Sequence, residues 1–461
     1  MLNVVIQNGT LVNEGGATRG DLYIADGRIE DIVVRAEDQC HLAPEGCAVI
    51  DARGCYVMPG VIDTHVHFRD GGEGGNPAGD FATESGAALA GGVTSVIDMP
   101  NTNPPTISLE ALEAKEQMAS KKSAVNYGFM LGATNDNIDD LLSIDPRRYA
   151  AIKLFLGSST GNMLVDDGAA LDRLFSESRK LIVAHCESEP IVRANLANLK
   201  AEFEGTAQET AALHPKVRNT EACFVSTYQA VARARKHGTR LHVAHVSTAT
   251  ELSLLSNQPL AQKNVSAEVT PNHLWFDDRD YTRLGNKIKC NPSIKSNDDR
   301  LALWAALYDG LIDTIATDHA PHPLASKEKP YFQAPSGIPS IQHSLRLMLE
   351  AMFNEETLKA EASHEVEQTW LPLLVEKMCH NPATLFGIKE RGFLRKGYWA
   401  DIVVVRPYPQ GEKITNDSLL YKCGWSPLEG MTLHSKIEHV LVNGAERADG
   451  THKAARLEFE F

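Results

Sequence analysis

No run of about 18 consecutive apolar residues occurs in the 461-residue sequence, so nothing in it reads as a membrane-spanning helix. The opening MLNVVIQNGTLVNEGG lacks the charged start, apolar core and small-residue cleavage site of a secretory signal, and the cytoplasm is the expected compartment. None of the eight cysteines stands in a CxxC pair. Zinc-finger and disulfide-scaffold readings therefore fall away, and the cysteines read as reduced thiols. Basic excess is missing too: 45 Lys and Arg against 60 Asp and Glu give a net charge of −15. That balance disfavours sequence-independent nucleic-acid binding, and any anionic substrate would need local positive charge. No glycine-rich dinucleotide fingerprint follows a strand-like run. What remains is ordinary globular composition, 43% hydrophobic and 23% charged, in a chain long enough to bury a large core without disulfides.

The two ends of the chain share one texture. VVIQNGTLV and DLYIADGRIEDIVV near the start, and WADIVVVRPY and KIEHVLVNGAE near the end, are β-rich pieces whose NG and DG pairs suit hairpin turns. Residues 1–55 and 391–461 are expected to pair into one small β-domain. Between them, residues 56–390 carry eight short apolar runs separated by helical pattern: YVMPGVIDTHVHF, GGVTSVIDMP, VNYGFML, AAIKLFL, KLIVAHC, RLHVAHV, NVSAEVT and LIDTIATDHA. Continuous apolar strands alternating with helices indicate a parallel sheet covered on both faces, and eight units indicate an α/β fold of (β/α)8 barrel type. A doubly wound open sheet is the competing architecture. GGEGGNPAG (71–79) reads as a mobile loop after the first barrel strand, and 355–368 as a solvated surface helix.

Polar residues gather at the C-terminal ends of these strands, the face on which barrels build active sites. His65 and His67, two apart on one strand, point to the same side. Lys153, His185, His245 and Asp318 end or interrupt other strands. A lone strand-end histidine is usually a hydrogen-bonded core residue and a lysine in an apolar run often snorkels, but six such residues on one barrel rim point jointly to a metal site. Imidazole plus carboxylate without a thiolate cluster suits Zn²⁺. His65, His67 and Asp318 can hold one ion, and His185 and His245 a second. A protonated Lys153 beside two dications is electrostatically untenable, whereas a lysine carboxylated by carbon dioxide can bridge them. The set supports metal-assisted hydrolysis of an amide-like bond, with Asp318 moving the proton from the attacking hydroxide to the leaving nitrogen.

The stretches MPGVIDTHVHFRD, DMPNTNPPT, IKLFLGSSTGNM, VAHCES, VAHVST, KCNPSIKS and IATDHAPH resemble the amidohydrolase superfamily, and within it the dihydroorotases of the long bacterial type. The resemblance implies a metal-dependent barrel enzyme that interconverts L-dihydroorotate and N-carbamoyl-L-aspartate. It further implies two Zn²⁺ per subunit bridged by carboxylated Lys153, with His65, His67, Lys153, His185, His245 and Asp318 as ligands. Substrate contacts are implied from His67, Arg69, Asn101, Asn291 and His322, and from Ser336 and Gly337 in a late loop. Arg69 offers a planar fork of donors for a carboxylate, which answers the unfavourable net charge. Gly71 stands where the family usually has proline, and Lys295 near where many relatives carry arginine. His319, by strand alternation, should point away from the site. The segment 157–162 is expected to help position substrate or gate the site. Sibling activities, allantoinase or hydantoinase/dihydropyrimidinase, are the nearest alternatives; a non-catalytic scaffold is a more distant one. A homodimer or other homo-oligomer is the expected assembly.

Overall fold

The computed structural model describes residues 2–35, 45–70, 76–157, 163–351, 366–446 and 454–460. Most of the segments expected at 71–79, 157–162 and 355–368 lies outside the described residues.

The chain opens with β1 (Leu2–Asn13), β2 (Gly16–Ala25), β3 (Arg28–Val34), β4 (Ala48–Asp51) and β5 (Tyr56–Pro59). The central region contributes β6 (Val61–Val66), β7 (Val93–Asp98), β8 (Asn126–Phe129), β9 (Leu131–Gly132), β10 (Ile152–Phe155), β11 (Ile182–His185), β12 (Leu241–Val243), β13 (Val265–Val269) and β14 (Thr314–Ile315). Each of the eight apolar runs holds one position in this parallel series, β8 and β9 being two pieces of one strand interrupted at Met130. A parallel bridge between Val66 and His319 joins the last strand to the first, so the sheet closes and the open-sheet alternative is excluded. The strands are buried along their whole length, as strands covered on both faces must be. Helices Phe81–Ala90, Leu109–Lys122, Thr220–His237 and Asn297–Tyr308 pack between them. Asp80, Ser108, Asn219 and Ser296 cap these helices, each accepting the N–H three residues on.

β15 (Ile402–Lys413), β16 (Thr432–Val442) and β17 (Ala445–Glu446) complete the terminal sheet, in the order β17-β16-β15-β5-β1-β2-β3 with β4 against β1. Ile6, Leu22, Ile24, Val57, Ile402, Val404 and Leu441 form its apolar core. Three details differ from the sequence expectation. The Tyr56–Pro59 part of the first apolar run pairs with β1 and β15, so the barrel strand begins only after Gly60. Residues 454–460 leave the sheet and lie on the barrel, where Tyr127 N–H donates to Ala455 O (3.0 Å) and Leu457 N–H to Tyr127 O (2.8 Å). The Asn8-Gly9 pair is not a hairpin turn but a bulge inside β1: the register shifts there, and a Cβ on Gly9 would meet Val57 Cγ2 at 2.5 Å. The turn falls instead at Glu14-Gly15, both in the left-handed region, as are Asp26-Gly27 and Asn443-Gly444 at the other hairpins.

Sheet, barrel and tail are joined by one buried polar knot. Asp401, at the entry to β15, accepts from Asn126 Nδ2 of β8 (3.1 and 3.2 Å) and from Asn443 N–H (2.8 Å), and is ion-paired with Arg391. Arg391 also donates to Asn443 Oδ1 (2.8 Å), while Asn126 Oδ1 accepts Ala455 N–H (3.0 Å). Removing one partner of a buried pair strands the other charge. Asp401→Ala is therefore expected to lower the unfolding free energy by about 3–5 kcal/mol, and the paired replacement Asp401→Leu with Arg391→Leu to cost less, both read from urea denaturation.

Candidate metal centre and active site

The site is assembled strand by strand at one end of the barrel. Within β6, Asp63 ties neighbouring strands together: it accepts His65 N–H (3.2 Å), Thr317 N–H (3.1 Å) and Thr317 Oγ1–H (2.6 Å). Burial pushes its pKa up to about 6 despite these donors. The clamp aligns β6 with the 316–319 segment and brings His65 opposite Asp318. His65 Nδ1 lies 2.7 Å from Glu268 Oε1 of β13, which fixes Nδ1 as the protonated nitrogen and leaves Nε2 as a lone pair 3.3 Å from Asp318 Oδ1. His67 repeats the arrangement: Nδ1 faces Asn101 Oδ1 at 2.8 Å and Nε2 lies 3.0 Å from the same Asp318 oxygen. Burial lowers the His67 pKa to about 4. For Asp318 burial acts to raise the pKa, but His65, His67 and His245 override it and hold the carboxyl well below the usual range.

A second pair lies beside the first. His185 Nε2 donates to Glu187 Oε2 (2.9 Å), itself ion-paired with Arg218, so His185 Nδ1 is left 3.0 Å from His245 Nε2. The ring centroids of His65 and His245 are 5.3 Å apart and those of His185 and His245 4.8 Å, so the imidazoles form one contiguous group. Lys153 is fully buried, its Nζ has no hydrogen-bond partner among the described residues, and burial lowers its pKa to about 8. Arg69, His245 and Asp318 all have positive φ, at 64°, 36° and 48°. Such backbone persists where its surroundings over-determine it, and it clusters at functional sites.

These side chains surround a cavity of about 150 Å³ whose wall also includes Arg69, Asn101, Phe155, Asn291, Ser336 and Gly337. Of the residues expected to hold metal or substrate, His322 alone is not in that wall. It stands behind, its Nε2–H donating to Ser336 O (2.9 Å), with Arg69 Nη2 3.4 Å from the same nitrogen. His319 is turned away, fully buried against Glu84 (2.9 Å), as strand alternation requires. Gly337 has φ +144°, and a Cβ there would approach Ala320 O to 2.4 Å, so the backbone itself forms that part of the wall.

The profile described as the amidohydrolase family matches residues 56–446. The chain belongs to the amidohydrolase family. It is 34% identical to a dihydroorotase from Halobacterium salinarum, over 89% of this chain and 91% of that one. It is 30% identical to an L-hydantoinase from Paenarthrobacter aurescens, over 97% and 95%. Among solved structures, an L-hydantoinase (dihydropyrimidinase) from Arthrobacter aurescens superposes with a TM-score of 0.87 at 28% identity, covering 100% of this chain and 98% of that chain. Among the described residues no helix is long and apolar enough to cross a membrane.

The donor set of this family member fits a divalent cation. His65, His67 and Asp318 offer ligand atoms within 4.8 Å of one another, and Lys153 Nζ and His245 Nδ1 are buried without a hydrogen-bond partner among the described residues. Sequence reasoning missed the residues that aim these ligands: Glu268, Glu187 and Arg218. For Glu268 a signal existed, since a carboxylate inside the apolar run NVSAEVT is as anomalous as Lys153 in AIKLFL. Partners that orient a ligating imidazole are worth about 10–100-fold in metal affinity. Glu268→Gln is expected to weaken zinc binding by that factor in a chelator competition while thermal unfolding of the metal-free protein changes little.

Proposed function

We propose that this cyclic amide hydrolase is a dihydroorotase, catalysing the reversible hydrolysis of L-dihydroorotate to N-carbamoyl-L-aspartate. The observation that carries the reading is Arg69 in the cavity wall, two residues beyond His67 and in the same pocket as Asp318. A ring amide needs no guanidinium for hydrolysis; a ring that keeps a carboxylate throughout the reaction does need one for binding, and Arg matches that group bidentately. The dihydroorotase relative at 34% identity supports the same assignment.

His65, His67 and Asp318 would hold one Zn²⁺ and His185 and His245 another, with Lys153 between them as a carbamate. Lys153 fits that role because burial favours its neutral amine, the form that adds to carbon dioxide with loss of a proton. Metal held there supplies Lewis acidity, which acidifies water and polarises a carbonyl. The chain's own residues do the rest. Arg69 anchors the substrate carboxylate, and Asn101 and Asn291 face the ring from the cavity wall. Asp318, placed against Nε2 of both His65 and His67, receives the proton of the attacking water and returns it to the leaving ring nitrogen.

A hydantoinase-type activity is the second reading, favoured by the 0.87 TM-score to an L-hydantoinase. The zinc-supplied enzyme is expected to hydrolyse dihydroorotate well ahead of hydantoin, allantoin and dihydrouracil. Arg69→Ala should cut kcat/KM on dihydroorotate by at least about 100-fold, the loss of a charge-assisted bidentate contact worth about 3 kcal/mol, and change dihydrouracil turnover far less. Equal losses on both rings would refute the carboxylate assignment.

A further inference from the structure

Beneath the cavity wall lies a histidine that the mechanism above does not use. His214 is 2% exposed and makes three contacts through its two ring nitrogens. Nε2 lies 2.7 Å from Cys290 O and 3.2 Å from Asn291 Oδ1, and Nδ1 lies 2.9 Å from Tyr331 Oη. A backbone carbonyl can only accept, so Nε2 must carry the proton. Burial, with Lys289 and Arg218 nearby, keeps the ring neutral, so Nδ1 is a lone pair and the tyrosine hydroxyl donates to it. Tyr331 is itself fixed, since Lys289 Nζ donates to its backbone oxygen at 2.8 Å and lies 4.4 Å from its ring centroid.

One consequence concerns Asn291, which lines the cavity. The two ends of an asparagine amide are nearly identical in shape, and hydrogen bonding decides which way it faces. The Nε2–H of His214 divides between Cys290 O and the Asn291 side chain, so the end facing His214 must be the oxygen. The Asn291 NH2 then lies on the opposite side, and it has no hydrogen-bond partner among the described residues. We propose that His214 is a positioning residue that turns the Asn291 NH2 into the cavity, as a donor for a carbonyl or carboxylate oxygen of the bound cyclic amide. This rests on the cyclic-amide reading of the site but not on dihydroorotate in particular, because every ring of that class carries a carbonyl oxygen.

The test is a double-mutant cycle on the zinc-loaded enzyme with His214→Phe, Asn291→Ala and the two together. His214→Phe keeps an aromatic ring but no donor, and its KM is expected to rise about tenfold, the size of one misplaced hydrogen bond to substrate, with kcat within about twofold and zinc content unchanged. The double variant should match Asn291→Ala alone, because His214 acts only through that amide. His214→Gln, whose Nε2 can take the place of the imidazole Nε2, should restore the wild-type KM. An unchanged KM in His214→Phe overturns the proposal, and so does a double variant whose KM is the product of the single effects. If His214→Phe does not fold, Asn291→Asp decides. It keeps an oxygen toward His214 but offers a second oxygen in place of the NH2, so KM should rise at least as much as in Asn291→Ala. A wild-type KM there also overturns the proposal. A wild-type enzyme that hydrolyses hydantoin, allantoin or dihydrouracil but not dihydroorotate defeats the functional reading alone, and the cycle is then run on the ring it accepts.

Discussion

The constraint on which the site depends is that an imidazole has two nitrogens and a buried one must have both accounted for. In three of the four clustered histidines one nitrogen is taken by a fixed acceptor: Glu268 for His65, Asn101 for His67, Glu187 for His185. That single bond sets the tautomer, the ring orientation and the direction of the free lone pair together. The other nitrogens then converge on Asp318 or on each other at 3.0–3.3 Å, so the donor atoms are gathered at one point. The acceptors come from three separate places on the rim, Glu268 within β13, Asn101 just past β7 and Glu187 just past β11, so the geometry belongs to the barrel and not to any one loop.

Closure of the barrel is what makes those acceptors available. Glu268 reaches His65 from β13, six ring positions onward in sequence but two away around the closed barrel, and Thr317 reaches Asp63 from the segment after β14. The left-handed backbone at His245 and Asp318 costs roughly 1–3 kcal/mol per residue. Both residues lie at strand ends whose neighbours are held by ladder bonds, which lets the fold maintain a conformation that free chain would abandon. Rigid strands therefore carry the ligand atoms and absorb the strain.

The sequence made the barrel and the ligand set legible for related reasons. An apolar run marks a strand buried on both faces, and a histidine, lysine or aspartate in such a run is conspicuous because burial is costly for it. The eight runs and the six ligand candidates were visible on that ground alone. What stayed hidden depends on partners distant in sequence. Asn8-Gly9 has the composition of a hairpin turn, and only the approach of Val57 to Gly9 makes it a bulge. Tyr56–Pro59 and Val61–Val66 form one apolar run, and nothing local says that Gly60 divides two sheets. His322 carries the same motif signal as Asp318 but is held one layer back by Ser336 O. His214 sits in ALHPKVRN, where no periodicity or charge pattern separates it from a surface histidine.

The division between strand and loop also explains how one frame can serve relatives with different names. The clustered imidazoles sit at strand ends, with His65 and His185 locked by carboxylates and His67 by an amide one layer out. The rest of the cavity wall is built elsewhere: Arg69 just past β6, Asn291 in an irregular stretch, and Ser336 and Gly337 in a loop whose backbone forms the wall. A change in those positions alters which oxygen of a ring is recognised without disturbing Asp318 or the imidazoles. The net charge of −15 fits the same division, because Glu268 and Glu187 contribute negative charge behind the imidazoles while Arg69 presents positive charge in the cavity wall. Positive charge in the cavity is therefore a local property of its wall, set by one residue past β6 and independent of the strands that hold the imidazoles.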